Sequence, residues 1–191
     1  MSFDETVIHC SAPALCGIKP ASLFSMNSEC FSSGCGKLSE WRRDFVKAKR
    51  YFVPLKKENG RFLMFVFDRN LLEKVVSDRE NALYLSSKGY SFEKGFCGVL
   101  GQLLHRLAFN ADFPHEVGLF LGYPLCDVVG FERNRSAFKY SGFWKVYGDL
   151  DEAARKMKMY KTCSEVCMEM LDSGLSVPMI VKKYMKTGDT K

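Results

Sequence analysis

The segment from 115 to 131, HEVGLFLGYPLCDVVGF, carries side chains whose types could support acid–base chemistry. His115 stands next to Glu116, and either group could transfer a proton if it faced a cleft. A metalloprotease site of the H-E-x-x-H type would need a second histidine four residues after the first, but position 119 is leucine. We therefore keep His115, Glu116 and Tyr123 as catalytic candidates without assigning a reaction.

A turn lies inside the same segment, at Gly122, Tyr123 and Pro124. In α/β folds ligands tend to bind where strands end and helices begin, and the positive end of a helix attracts anions. We expect a site for a small molecule or an anion at this turn, formed by Lys19, Gly122, Tyr123, Asp127, Lys145 and Tyr147. Structural roles explain some of these residues equally well, because glycine and proline suit the turn and Asp127 suits the first turn of a helix.

The eight cysteines offer a second chemistry, because thiolates bind metals and undergo oxidation. Six of them form three spaced pairs, Cys10-x5-Cys16, Cys30-x4-Cys35 and Cys163-x3-Cys167. None of these spacings is the C-x-x-C of a zinc knuckle or of a thioredoxin-type redox site. Scattered buried thiols are the simpler interpretation. The candidates that we keep for a metal or redox role are Cys10, Cys16, Cys30 and Cys35.

Composition and charge limit the class of protein. The chain has 191 residues, of which 47% are hydrophobic, enough to build one domain with a substantial core. The net charge of +6 could assist an anionic ligand, but no block of like charges is present, which argues against binding to nucleic acid. The apolar runs fall short of the roughly 18 residues that span a membrane, and the acidic start argues against a signal peptide. We expect a cytoplasmic protein whose cysteines stay reduced.

Hydrophobic periodicity predicts the elements that would position these groups. The first 37 residues, rich in proline and glycine, are predicted to form an irregular amino-terminal arm, and 186–191 a frayed tail. Strands are predicted over 62–67, 116–121 and 143–147. Helices are predicted over 38–51, after Asp68, over 91–109, from Pro124, over 151–172 and over 177–185.

The row of glycines at 95, 98 and 101 predicts that another helix or a ligand approaches the backbone of the 91–109 helix closely. Strands that alternate with helices predict an α/β or α+β fold, with a small, about three-stranded sheet covered by helices in a single domain over 1–191.

Three stretches, CGIKPASLF, FPHEVGLFLGYPLCDVVGF and GFWKVYGD, together and in this order resemble DUF3793, a domain-of-unknown-function family of anaerobic gut-type bacteria. The resemblance spans nearly the whole chain. It implies no catalytic residue, because no activity is established for the family, but it implies a link to iron or redox metabolism. The motif positions that it marks are Lys19, Pro20, His115, Glu116, Gly122, Tyr123, Pro124, Asp127, Trp144 and Tyr147.

Three hypotheses follow for the function. The first is a cytosolic domain that binds a small ligand, with or without catalysis, at the Gly122–Pro124 turn. The second is a thiol-based metal-binding or redox-linked protein associated with iron metabolism. The third is a protein interaction module without chemistry of its own, which would present an exposed apolar face.

Overall fold

A computed structural model describes residues 1–188, without the side chains at 56–58 and 188. Its helices are α1 (Phe3–Leu15), α2 (Ser28–Lys47), α3 (Arg69–Ser77), α4 (Arg79–Ser87), α5 (Gly95–Phe109), α6 (Val117–Phe120), α7 (Leu125–Arg133), α8 (Leu150–Asp172) and α9 (Val177–Gly188). Its strands are β1 (Ala21–Asn27), β2 (Arg50–Glu58), β3 (Arg61–Asp68), β4 (Tyr140–Ser141) and β5 (Lys145–Val146). The three longer strands form one antiparallel sheet, so the predicted fold class is confirmed in its α+β form.

The chain divides into two compact units. The first unit combines Met1–Asn70 with Met159–Lys191, and the second is Leu71–Lys158. The assignment of 1–191 to a single domain stays a prediction. Among the helices within residues 1–188, none combines the length and the apolar character that crossing a membrane requires.

The sheet of the first unit has the strand order β1-β3-β2. The central strand β3 contains the predicted strand 62–67, and its second half is completely buried. A two-residue hairpin at Asn59 and Gly60 joins it to β2, and both residues have the positive φ angles, 48° and 73°, that such tight hairpins require. Side chains from α1, α2, α8 and α9 share one hydrophobic cluster with the sheet.

The prediction of an irregular arm over 1–37 is wrong, because this stretch forms α1, β1 and the start of α2. Helix α1 begins at a capping box, in which the Ser2 hydroxyl accepts from the Glu5 backbone and the Glu5 carboxylate accepts from the Ser2 backbone. Residues 21–27 form strand β1, which pairs along its whole length with β3. Helix α2 begins at Ser28, ten residues before its predicted start, because the Asn27 side chain caps it.

The second unit holds α3 to α7 and the short pair β4–β5, and it contradicts the strand predicted over 116–121. That stretch is the buried helix α6, since a short apolar run fits a buried helical turn as well as a strand. The strand predicted over 143–147 is reduced to the two residues of β5. The helix predicted from Pro124 is confirmed as α7, with Pro124 at its N-cap.

Within the described residues no second helix approaches the glycine row on α5, and a Cβ atom at Gly98 would meet the Lys94 side chain at the start of the same helix; approach by a ligand stays a prediction. A Cβ atom at Gly95 or Gly101 would meet nothing within 4 Å outside the helix's own backbone. Gly98 and Gly101 line an open groove of about 570 Å³.

The helices predicted over 151–172 and 177–185 are confirmed as α8 and α9. Helix α9 continues to Gly188, three residues beyond its predicted end, and 189–191 lie outside the described residues, so the fraying of 186–191 stays a prediction.

Candidate metal centre

Three cysteine sulfurs converge inside the first unit, from Cys16, Cys163 and Cys167. Their Sγ atoms all lie within 4.8 Å of one another, and the Sγ atoms of Cys16 and Cys167 are 3.6 Å apart. We call these three residues the thiol cluster. Within the described part of the chain, this is the group of histidine, cysteine or carboxylate side chains whose geometry could hold a metal ion.

Two helices position the thiol cluster. Cys16 is the C-cap residue of α1, where the chain leaves the helix, and Gly17 turns it with a φ of 76°. Cys163 and Cys167 are four residues apart on α8, so both point to the same side of that helix. The cluster forms because that side of α8 and the end of α1 belong to one hydrophobic core.

The thiol cluster is removed from solvent. Cys163 and Cys167 are 0% exposed and Cys16 is 6% exposed. Apolar side chains of α1 and α9 belong to the same core, among them Leu15, Val177, Ile180 and Val181. Charge is costly in such surroundings unless it is paired or hydrogen-bonded.

Hydrogen bonds among the sulfurs make the three thiols unequal. The hydrogen bond from Cys16, with a second from Cys167 and a weaker one from the Tyr184 hydroxyl, lowers the pKa of Cys163 despite burial. The pKa of Cys16 is raised, mainly because its thiol hydrogen-bonds to Cys163. The thiolate is the form that binds metals, and Cys163 is the member of the cluster whose proton is most readily lost.

The spacing of the sulfurs suits a bound ion. A zinc–sulfur bond is about 2.3 Å long, which places two sulfurs of a tetrahedral site about 3.8 Å apart. The 3.6 Å between Cys16 and Cys167 lies close to that value. Sulfur ligands select thiophilic ions over magnesium or calcium, which prefer oxygen.

Of the cysteines proposed from the sequence, the structure brings only Cys16 into the thiol cluster. Cys10 is half-buried on α1, and burial raises its pKa. Cys30 lies 3.7 Å from the Thr6 hydroxyl, and Cys35 is 3.8 Å from a backbone oxygen of its own helix. The other two cluster members were missed, although their C-x3-C spacing on a helix indicates two thiols on one face.

Asp127 occupies the centre of the predicted ligand site, but its carboxylate is engaged in the fold. Its Oδ2 accepts from the Trp144 indole at 2.7 Å. Its Oδ1 accepts from the backbone N–H groups of Tyr147 at 2.7 Å and Gly148 at 2.8 Å. The buried carboxylate thus holds the start of α7 against the strand β5 and the turn after it.

The neighbouring candidates also contact protein groups. Tyr123 stacks on Trp144 with ring centroids 4.9 Å apart, and Gly122 adopts the positive φ of 83° that the turn requires. The Lys145 ammonium donates to the Arg135 carbonyl at 2.8 Å. Tyr147 packs its ring over Gly130, and its hydroxyl is buried without a hydrogen-bond partner.

His115 and Glu116 face different partners. The Glu116 carboxylate is buried and accepts from Arg106 at 2.8 Å and from the Tyr90 hydroxyl at 3.1 Å. The His115 Nε2 atom lies 2.8 Å from an Arg135 guanidinium nitrogen. An adjacent acid–base pair with a common target is therefore not formed, and their catalytic role stays a prediction.

Lys19 belongs to the first unit, whereas the other predicted ligand-binding residues belong to the second. Its ammonium lies over the Tyr160 ring, 5.6 Å from the centroid. Burial lowers its pKa to about 8. Lys19 thus lies beside Tyr160 of α8, the helix that also carries Cys163 and Cys167.

Comparison with known proteins places the chain in a family without assigning an activity. The model of a family described as "Protein of unknown function (DUF3793)" matches residues 7–181, a range that contains the whole thiol cluster. No curated protein and no solved structure matches the chain. The family match covers well over half of the 191 residues, and the chain therefore belongs to the DUF3793 family.

Proposed function

We propose that this protein binds a thiophilic metal or metalloid ion at the thiol cluster of Cys16, Cys163 and Cys167. The observation that carries the proposal is the convergence of three sulfurs within 4.8 Å from segments that are remote in the chain. A free cysteine that is buried only as a small hydrophobe has no need of other sulfurs beside it. Here Cys16, the C-cap residue of α1, meets Cys163 and Cys167, which stand at positions i and i+4 of α8. The three sulfurs are connected by hydrogen bonds.

The Gly122–Pro124 turn supports the small-ligand hypothesis less well. Asp127, the candidate at this turn that carries a carboxylate, already accepts three hydrogen bonds from Trp144, Tyr147 and Gly148. A ligand would have to compete with these buried contacts. The thiols of the cluster, by contrast, hydrogen-bond mainly to one another, and they release their protons when a metal ion binds.

The finer parts of the proposal concern the setting. A cytoplasmic location would keep the three thiols reduced and available as ligands. The origin in anaerobic gut-type bacteria and the link to iron metabolism, both implied by the family resemblance, would fit a protein that handles thiophilic ions without oxygen. Fe²⁺ is accordingly one of the ions to test, beside Zn²⁺, Cu⁺ and arsenite.

Elemental analysis and native mass spectrometry of protein purified without oxygen test the proposal. The chain is reconstituted with each ion in turn and desalted. We expect one ion per chain in the wild type and its loss in Cys163→Ser and Cys167→Ser.

Matched controls come from cysteines outside the thiol cluster. Cys97→Ser and Cys126→Ser alter exposed thiols and should keep the full stoichiometry. The proposal would be wrong if no ion of the series were retained, or if the cluster variants retained as much as the controls.

A further inference from the structure

We propose that the ion preferred by the thiol cluster is trivalent and three-coordinate, and that arsenic(III), taken up as the neutral hydroxide As(OH)₃, represents this class. The inference rests on the proposed function and names the chemical class of its ligand. It follows from the number of donors, the burial of the sulfurs and the charge that the core can hold.

The number of donors is three. Among the described side chains, no further histidine, cysteine or carboxylate lies within 4.8 Å of all three sulfurs. Structural zinc sites are almost always four-coordinate, so zinc would have to complete its shell with a ligand from outside this set. A trivalent arsenic ion forms three bonds, and its lone pair occupies the remaining direction.

The burial of the sulfurs leaves little room for an added ligand. Cys163 and Cys167 have no exposed surface, and apolar residues of α1 and α9 share their core. A catalytic zinc site would place a water molecule in the fourth position, and that water needs two or more polar partners, of which the Tyr184 hydroxyl beside Cys163 would be one. A lone pair needs none, and it can face the hydrocarbon side chains.

Charge separates the ion classes most clearly. Three thiolates carry a charge of −3, so a monovalent ion leaves −2, a divalent ion leaves −1 and a trivalent ion leaves a neutral complex. A net charge in an apolar core is strongly disfavoured. The thiol protons that hydrogen-bond within the metal-free cluster leave when the ion binds. A complex with a residual negative charge would therefore not be stabilised by those S–H donors.

The exchange is balanced without any oxidant or reductant. As(OH)₃ reacts with three protein thiol groups, three As–O bonds break and three As–S bonds form. Each hydroxide leaves with one thiol proton, so three water molecules are released. Arsenic stays in the +3 state and the sulfurs are not oxidised.

Titration of the full-length, reduced protein with sodium arsenite tests the inference, with Zn²⁺ in a parallel series. We expect a one-to-one complex that carries the mass of one arsenic less three hydrogens and in which three of the eight thiols no longer react. Zn²⁺ should bind at least about tenfold more weakly. Cys97→Ser should retain the complex, whereas Cys167→Ser should weaken it at least about tenfold.

The thiol count of the wild type decides the matter even if Cys167→Ser fails to fold. Arsenite that blocks two thiols, or thiols outside Cys16, Cys163 and Cys167 as mapped by peptide mass spectrometry, overturns the inference. Tighter binding of Zn²⁺ than of arsenite overturns it as well, but leaves the proposed function standing. Failure of arsenite, Zn²⁺, Cu⁺ and Fe²⁺ to bind overturns both.

Discussion

The Sγ atoms of Cys16 and Cys167 lie 3.6 Å apart although 151 positions separate the two residues in the chain. Cys16 belongs to Met1–Asn70, and Cys167 to Met159–Lys191, the two segments that together form the first unit. An ion bound to both sulfurs would therefore cross-link the two segments. Binding and folding of this unit should then be linked.

Ion binding should raise the thermal stability of the wild type. A ligand present at 100 times its Kd and bound only by the folded state adds about 2.7 kcal/mol to the free energy of unfolding. We expect Tm to increase with the concentration of arsenite or of a thiophilic metal ion, as measured by circular dichroism under anaerobic conditions. Cys167→Ser should lose this dependence and Cys97→Ser should keep it. An equal shift in both variants would contradict the assignment.

Replacement of Asp127 should destabilise the second unit strongly. Asp127→Ala leaves the buried indole N–H of Trp144 and the half-buried backbone N–H groups of Tyr147 and Gly148 without their acceptor, which should cost roughly 3–5 kcal/mol. Urea denaturation followed by Trp144 fluorescence in a Trp41→Phe background measures the loss. Asp112→Ala removes an exposed carboxylate of the same unit and should change stability by less than about 0.5 kcal/mol.

The same variant distinguishes a structural role of Asp127 from a role in ligand binding at the Gly122–Pro124 turn. If the carboxylate is structural, Asp127→Ala loses the same free energy of unfolding with or without added small molecules. If Asp127→Ala were as stable as the wild type, the carboxylate would be available to a ligand and the first hypothesis would regain support.

The elements with long, regular patterns were predictable from the sequence. The stripe on α8 repeats over six turns, and the apolar run of β3 is flanked by clear turn residues, so both elements were found nearly in place. The stretch 116–121 was not predictable in this way, because a short apolar run has no period. Its helical form depends on tertiary packing, such as that of Gly118 against Tyr123 and Val128.

The candidate site was only partly predictable. Cys163 and Cys167 share a helical face, and that could have been inferred from their spacing. Cys16 joins them through the packing of α1, a helix that the proline- and glycine-rich composition of 1–37 conceals although Ser2 and Glu5 form a capping box. Long-range convergence of this kind leaves no local pattern.

The stability of the wild type should rise between about pH 8 and pH 10.5 because of Lys19. Burial lowers the pKa of this lysine from 10.5 to about 8, so the folded state disfavours its charged form. Below pH 8 the lysine is charged in both states and the penalty, on the order of 2–3 kcal/mol, is present in full. The penalty disappears as pH rises through the window.

Lys19→Met isolates this contribution, because other groups that titrate in the same window are common to both proteins. The difference in unfolding free energy between the variant and the wild type should favour the variant at pH 7 and should shrink towards pH 10.5. Chemical denaturation at several pH values measures it. Parallel pH curves for the two proteins would show that burial does not perturb Lys19.

Gly17→Ala should destabilise the first unit by more than backbone strain alone. Gly17 follows Cys16 with a φ of 76°, and a Cβ atom there would overlap the Arg50 guanidinium. Arg50 is buried in an ion pair with Asp68 at 2.9 Å and also donates to the Leu15 carbonyl, so it cannot move aside without breaking these contacts. Disrupting a buried ion pair costs roughly 3–5 kcal/mol.

Gly60→Ala is the matched control, because Gly60 has a φ of 73° but no neighbour within 4 Å of an added Cβ. It should cost only the strain of the left-handed backbone, about 1–2 kcal/mol. The difference between the two variants in urea denaturation therefore reports the collision with Arg50. Because Gly17 adjoins Cys16, the same collision should displace one sulfur of the thiol cluster, so Gly17→Ala should also weaken ion binding while Gly60→Ala leaves it unchanged. Equal effects of both substitutions on stability and on binding would show that the turn after α1 does not position Cys16.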